Sequence, residues 1–299
     1  MRFGITTPVV TMVPRRHAAW EETAGVGAIR QIAQAADRLG YHHLTCSEHV
    51  AVPVEVAKVR GGRYYDPYAT LGFIAAVTTR IRLVTHVLVL PYHHPLAVAK
   101  RLGTLDQLAG GRVIAGVGVG SLREEFELLG VDFADRGPRY EDALRALRAA
   151  LGRAQPGYRG THFAFDDFLV DPCAVQTCMP IWLGGRTARS LRRALRLADG
   201  WDPFGFTHAQ LDALLERARQ WPEWRQRTEP FDLVLTPDRL IELHEPAQID
   251  AVIAQVAAYR RLGATTLNLQ LRHHSLADYI EQLATFAERV APRFADVVP

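Results

Sequence analysis

Four short stretches of this chain set chemically competent side chains at the ends of β-rich runs. Glu48-His49 follows the run His43–Ser47 and places a carboxylate beside an imidazole. Those residue types hydrogen-bond a polar heterocycle or pass a proton, although a pair at a loop entry also serves to cap the next turn. Thr85-His86-Val87 closes a second run. A buried imidazole there must be hydrogen-bonded, as a structural group or as a ligand contact. Gly116-Val117-Gly118-Val119-Gly120 closes a third run. It lacks the dinucleotide Gly-x-Gly-x-x-Gly spacing, yet Gly118 and Gly120 permit a flat ligand to approach the backbone closely. The fourth stretch, Pro180-Ile181-Trp182-Leu183-Gly184-Gly185-Arg186-Thr187, ends a strand in two glycines and starts a helix at once. Exposed N–H groups, the helix dipole and the guanidinium favour an anion, most naturally phosphate, at Gly184, Gly185, Arg186 and Thr187. The competing reading is an ordinary strand-to-helix turn.

Other chemistries find little support. The adjacent pairs His42-His43, His93-His94 and His273-His274 invite a metal, but neighbours on a strand point to opposite faces and rarely chelate one ion. No metal is expected. There is no Gly-x-Ser-x-Gly elbow and no phosphate-binding P-loop motif. Cys46, Cys173 and Cys178 are too few and too widely spaced for a disulfide framework and fit free thiols in a reducing compartment. Of the 35 basic residues only Lys58 and Lys100 are lysine, and the arginines are interleaved with acids rather than clustered, so nucleic acid is not an expected partner. No run reaches the roughly 18 apolar residues of a membrane helix, and the N-terminus has no signal-peptide pattern. A cytoplasmic protein is expected.

These side chains need a frame, and the frame is legible as alternation. β-rich runs at Arg2–Thr6, His43–Ser47, Arg82–Leu88, Val113–Val117, Ile181–Leu183, Gly200–Pro203, Asp232–Leu235 and Thr266–Leu269 alternate with amphipathic helical stretches. Among the latter are Ile29–Leu39, a helix capped by Asp66-Pro67, one from Pro95 to Gly110, and Ala188–Leu197. Ala209–Trp221, Ile249–Leu262 and Leu276–Val290 follow. Ser121-Leu122-Arg123-Glu124 has the form of a capping box. Eight βα units in 299 residues predict a single α/β domain over residues 1–299, a (β/α)8 TIM barrel. A doubly wound sheet would carry a phosphate fingerprint after its first strand, where Thr6-Thr7-Pro8-Val9 stands instead. Glu48–Tyr65 is an insertion after strand 2 and Tyr158–Val170 a hairpin before strand 5.

Taken in order, these motifs resemble the bacterial luciferase-like superfamily. The densest match is Asp66 to Phe133, with Thr79-Arg80-Ile81-Arg82-Leu83, Leu105-Asp106-Gln107-Leu108, Gly110-Gly111-Arg112, Arg123-Glu124-Glu125-Phe126 and Leu129-Gly130-Val131. Pro180–Gly185 and Ala198-Asp199-Gly200-Trp201 continue it. The resemblance implies a TIM barrel that binds FMN or coenzyme F420, and it looks closer to the F420-dependent branch. It implies a cis peptide between His86 and Val87 backing the ring, an acidic-His pair at Glu48 and His49, and a phosphate loop at Gly184–Arg186. His49 and His86 are the catalytic candidates. An F420-dependent hydride transfer on an organic substrate is expected; the alternatives are an FMN-dependent monooxygenase or a non-catalytic flavin-binding protein. Three departures stand out, one of them His86 in place of the usual small residue, which would bring an imidazole to the cofactor's edge. Ser121 replaces a common aromatic residue, and Val119 stands where sugar-phosphate dehydrogenases of the branch carry a proton-donating glutamate. The resemblance also implies a homodimer. Trp20, Tyr64 and Tyr65 are expected to wall the substrate pocket.

Overall fold

The eight β-rich runs pair in parallel, each with its neighbours in sequence, in a computed structural model that describes residues 1–295. They are β1 (Arg2–Ile5), β2 (His43–Cys46), β3 (Arg82–Thr85), β4 (Val113–Gly118), β5 (Ile181–Gly185), β6 (Gly200–Pro203), β7 (Asp232–Leu235) and β8 (Thr266–Leu269). Ala115 of β4 stands opposite Ile181 of β5, and Arg2 of β1 opposite Thr266 of β8. The sheet therefore closes on itself into the expected TIM barrel and leaves no unpaired strand edge.

Eight principal helices surround it: α1 (Val26–Arg38), α2 (Pro67–Val77), α3 (Pro95–Leu108), α4 (Arg136–Ala150), α5 (Ala188–Leu197), α6 (His208–Ala218), α7 (Pro246–Leu262) and α8 (Leu276–Thr285). Proline at the first turn and an accepting cap fix several of their starts, as where Asp66 accepts from Ala69 N–H at 2.8 Å. α4 is the helix that the hydrophobic pattern does not announce. Its buried residues are Tyr140, Asp142, Ala143, Leu144, Ala146, Leu147 and Ala150, so a carboxylate and three small side chains dilute the apolar signal.

The capping box expected at Ser121 does not form. The short helix Arg123–Leu128 starts after Leu122 with no side-chain cap, and the Ser121 hydroxyl instead accepts from Arg60 at 3.1 Å. The hairpin before β5 is present, with Tyr158–Arg159 paired to Ala164–Phe165. The insertion after β2 is more ordered than a loop. It holds the helix Val54–Arg60 and a short strand whose Arg63 and Tyr64 pair with Met12 and Thr11 of the β1 loop.

Side chains alternate along each strand. Leu44, Leu83, Leu183, Leu235 and Leu267 face the helices and are essentially inaccessible. Each such burial contributes about 1.5–3 kcal/mol. Inside the barrel, Val84, Ile114, Trp182 and Val234 form a separate apolar cluster. Polar groups share that interior. Trp182 Nε1–H donates to Asp232 at 3.1 Å, and Asp232 also pairs with Arg2. His42 and His43 meet through their Nδ1 atoms at 2.9 Å rather than pointing apart, because His42 precedes the first residue of β2 and escapes strand alternation.

His43 fits only because β1 carries glycine beside it. A Cβ at Gly4 would lie 2.1 Å from the imidazole. Gly4→Ala is expected to lower the unfolding free energy by about 1–3 kcal/mol, the usual cost of overpacking a tight core. Urea denaturation measures it, and an unchanged midpoint would show that the ring has room to move.

Candidate active site

The C-terminal mouth of the barrel is built around the end of β3. The strand stops at Thr85, the His86–Val87 peptide is cis, and the chain rejoins the sheet at Leu88–Val89 beside Val117 and Gly118. Three consecutive residues leaving β2 hold this bulge. His86 N–H donates to Cys46 O at 2.7 Å, Ser47 Oγ donates to His86 O at 2.7 Å, and Val89 N–H donates to Glu48 Oε2 at 2.6 Å. The other Glu48 oxygen lies 2.8 Å from His93 Nε2. Glu48 is therefore buried with both oxygens engaged by the segment after β3 rather than by the turn that follows it.

The glycines at the strand ends make room for the bulge. A Cβ at Gly118 would stand 2.6 Å from a Val87 methyl, and one at Gly184 3.0 Å from the other methyl. Val87 thus sits on two bare backbones and forms a small apolar floor in the mouth. Gly120 has φ +78°, and Phe126 and Val89 fill the space a side chain there would need.

His49 is positioned from β4's side. Its Nδ1 lies 2.7 Å from Glu125 Oε2, while Nε2 has no hydrogen bond among the described residues. The Tyr64 ring packs edge-on against the imidazole, with centroids 4.6 Å apart. Glu125 is itself buried. It accepts from Val50 N–H at 2.6 Å, Ala51 N–H at 3.2 Å and Tyr92 OH at 2.9 Å. Burial alone would raise its pKa, but His49, Tyr92 and Val50 N–H together hold it below the usual carboxylate range. It thus ties the loop after β2 to the helix after β4. Of the expected pocket walls, Tyr64 touches His49, Trp20 Nε1–H donates to His273 at 3.0 Å, and Tyr65 is exposed.

His86 pairs with a carboxylate of β6. Its Nε2 stands 3.0 Å from Asp202 Oδ2, and Asn268 of β8 donates to both Asp202 oxygens at 3.2 Å. Burial opposes the imidazolium, yet the charge and hydrogen bond of Asp202 outweigh it, so the His86 pKa lies above its ordinary value.

At the start of α5 the chain cap is internal. Thr187 Oγ1 accepts from Ser190 N–H at 3.1 Å, and Ser190 Oγ accepts from Thr187 N–H at 3.2 Å. Gly185 is needed because a Cβ there would meet Ser190 at 2.4 Å. Thr187 is thereby committed to the helix. Arg186 and Arg189 remain exposed with no hydrogen bond or ion pair among the described residues; Arg186 has only the Phe204 ring, 6.0 Å away. Arg186 lies two residues before the first residue of α5 and Arg189 in its first turn.

The structure thus gathers His49, His86, Val87 and Gly118 around the strand ends and sets Gly184 to Thr187 beside them. The motif reading passed over Tyr92, Asp202, Asn268 and Arg189, and it met Glu125 only inside the Arg123–Phe126 motif. Asp202 and Asn268 carried a signal: each is polar at an inward position of an otherwise buried strand.

Residues 1–282 match the luciferase-like monooxygenase family, and the chain belongs to that family of oxidoreductases. An uncharacterized protein of Mycobacterium tuberculosis is 30% identical over 277 residues, spanning 87% of this chain and 93% of the relative. The fold is shared with the monooxygenase RslO1 of Streptomyces bottropensis, at a TM-score of 0.80 and 23% identity over 99% of this chain and 100% of that one. It is shared too with the FMN-bound oxygenating constituent of 3,6-diketocamphane monooxygenase of Pseudomonas putida, at 0.77 and 16% over 98% of each. An F420-dependent secondary alcohol dehydrogenase in complex with an F420-acetone adduct superposes at 0.72, with 14% identity over 99% of each chain.

Replacing Glu125 by Ala would leave Val50 N–H, Ala51 N–H, Tyr92 OH and His49 without their acceptor. A loss of about 2–5 kcal/mol is expected, since buried donors are stranded. Glu125→Gln should recover part of it, because one acceptor oxygen remains. Chemical denaturation of the two variants provides the comparison; equal stability of all three proteins would contradict the role.

Proposed function

We propose that this oxidoreductase transfers a hydride between coenzyme F420 and a small organic substrate at the mouth of its barrel. The observation that carries the reading is the Val87 floor at the end of β3, with carboxylate-supported imidazoles at its rim and a paired-arginine anion site at the start of α5. The residues fit a flavin-type cofactor. The floor on Gly118 and Gly184 suits a flat ring, and Arg186 and Arg189 with the first amides of α5 suit a phosphate. Such a cofactor, when bound, supplies the site that accepts or releases the hydride. The chain supplies the rest. His49, with Nδ1 tied to Glu125, presents Nε2 to polarise the substrate or move its proton. His86, within the bulge itself, has the same capacity. The chain carries Val119, not glutamate, where the sugar-phosphate dehydrogenases keep their acid, so another substrate class is expected. The likeness of the fold to an FMN-bound monooxygenase keeps FMN as the second reading.

Cofactor titrations followed by visible absorbance and fluorescence separate the two. The account expects saturable F420 binding, weakened about tenfold in Arg186→Ala, which corresponds to about 1.4 kcal/mol for a charge-assisted contact. Tight FMN binding with no affinity for F420 would reverse the assignment.

A further inference from the structure

The interior of the barrel holds a line of polar side chains that the motifs do not explain. It runs from His42 through His43 and Asn268 to Asp202 and ends at His86. The contacts are 2.9 Å from His42 Nδ1 to His43 Nδ1, 2.6 Å from His43 Nε2 to Asn268 Oδ1, 3.2 Å from Asn268 Nδ2 to each Asp202 oxygen, and 3.0 Å from Asp202 Oδ2 to His86 Nε2. His43 and Asn268 are wholly buried, and the side chain of Asp202 is 2% exposed.

The chemistry of the groups gives the line one direction. Asn268 Oδ1 is an acceptor, so His43 must donate through Nε2–H. Burial depresses the His43 pKa to about 4, which leaves the ring neutral near pH 7, so its Nδ1 is bare and receives a proton from His42. The Asn268 amide then faces Asp202, whose oxygens only accept. His86 must accordingly donate through Nε2–H. Asn268 Nδ2 and His86 Nε2 stand 3.4 Å apart as two donors sharing one carboxylate. His86 Nδ1 makes no hydrogen bond among the described residues, although the side chain remains 23% exposed.

We infer that Asp202, locked by Asn268 and His43, is the positioning residue that fixes the His86 proton on Nε2 and turns Nδ1 to the barrel mouth as the working nitrogen. This rests on the reading of that mouth as the redox site. A bound cofactor would supply the hydride acceptor or donor, and His86 Nδ1 would take the substrate's hydroxyl or amine proton on oxidation and return it on reduction. Asp202 touches no reacting atom and acts through His86 alone. The titratable groups facing His86 are Asp202 on β6 and His43 on β2, and Asn268 on β8 lies between them.

Histidine-labelled, cofactor-free protein tests this by ¹⁵N magnetic resonance, with His86→Gln identifying the signal. In the wild type, the neutral ring should carry its proton on Nε2, and its midpoint should lie above 6.5. Asp202→Asn keeps the shape of the side chain but removes the charge. Burial then acts unopposed, and the midpoint should fall by at least one pH unit. A wild-type ring protonated on Nδ1, or an equal mixture of tautomers, would overturn the inference, as would an unchanged midpoint in Asp202→Asn. Should that variant fail to fold, the wild-type tautomer decides alone. None of these readouts requires bound cofactor, so failure of the F420 assignment leaves them interpretable. If both hold, the pH profile of kcat should shift downward in Asp202→Asn by the same interval as the His86 midpoint.

Discussion

The mouth of this barrel depends on how the chain leaving β2 grips the chain leaving β3. Around the break after Thr85, Cys46 O accepts from His86 N–H, Ser47 Oγ donates to the His86 carbonyl and Glu48 Oε2 accepts from Val89 N–H, while the other Glu48 oxygen holds the His93 ring. Buried backbone groups must find partners, and here three adjacent residues supply them. The next residue, His49, is then delivered to Glu125, whose carboxylate also gathers Val50, Ala51 and Tyr92. A strand exit, a bulge and a helix after β4 become one hydrogen-bonded unit. Side chains that act on a ligand need such support, because a group held loosely loses its geometry.

A shared arrangement recurs around this unit. His49 with Glu125, His86 with Asp202, and His93 with Glu48 each pair an imidazole with a buried carboxylate. Such a partner fixes which ring nitrogen holds the proton and so which is left to act. Each of the three rings keeps one nitrogen without a protein hydrogen bond among the described residues. The pairs differ in what the carboxylate also holds: Glu48 accepts from Val89 N–H of the bulge, Glu125 from Val50, Ala51 and Tyr92, and Asp202 from Asn268. This recasts Glu48: the carboxylate of the Glu48-His49 pair builds the site, and the imidazole faces it.

Much of the fold was legible because period-2 runs and helical runs alternate with few interruptions. All eight strands fall where the β-rich stretches stand, and the boundaries of α5 agree to the residue. The failures have local causes. α4 buries Asp142 and three alanines beside Tyr140, Leu144 and Leu147, which dilutes its apolar pattern. Ser121-x-x-Glu124 has the spacing of a capping box, but Arg60, brought close by the insertion after β2, takes the hydroxyl. The local geometry was legible where it lies within one motif, as in the turn from β5 into α5 at Gly184–Thr187. It was not legible where the partner comes from a distant strand, since nothing near Glu125 or Asp202 in the sequence names the histidine each will meet. Even the glycines carried a different message from the one their spacing gave: Gly118 and Gly184 yield space to Val87, which in turn offers the flat surface.

The central claim is that this surface and the two arginines at the start of α5, Arg186 and Arg189, receive the two ends of one cofactor. A crystal structure of the protein with F420 tests it most directly. The account predicts the deazaflavin ring against Val87, with His49 and His86 at its edge and the phosphate beside Arg186 and Arg189. A ring bound elsewhere, or a phosphate that leaves both arginines without contact, would contradict it.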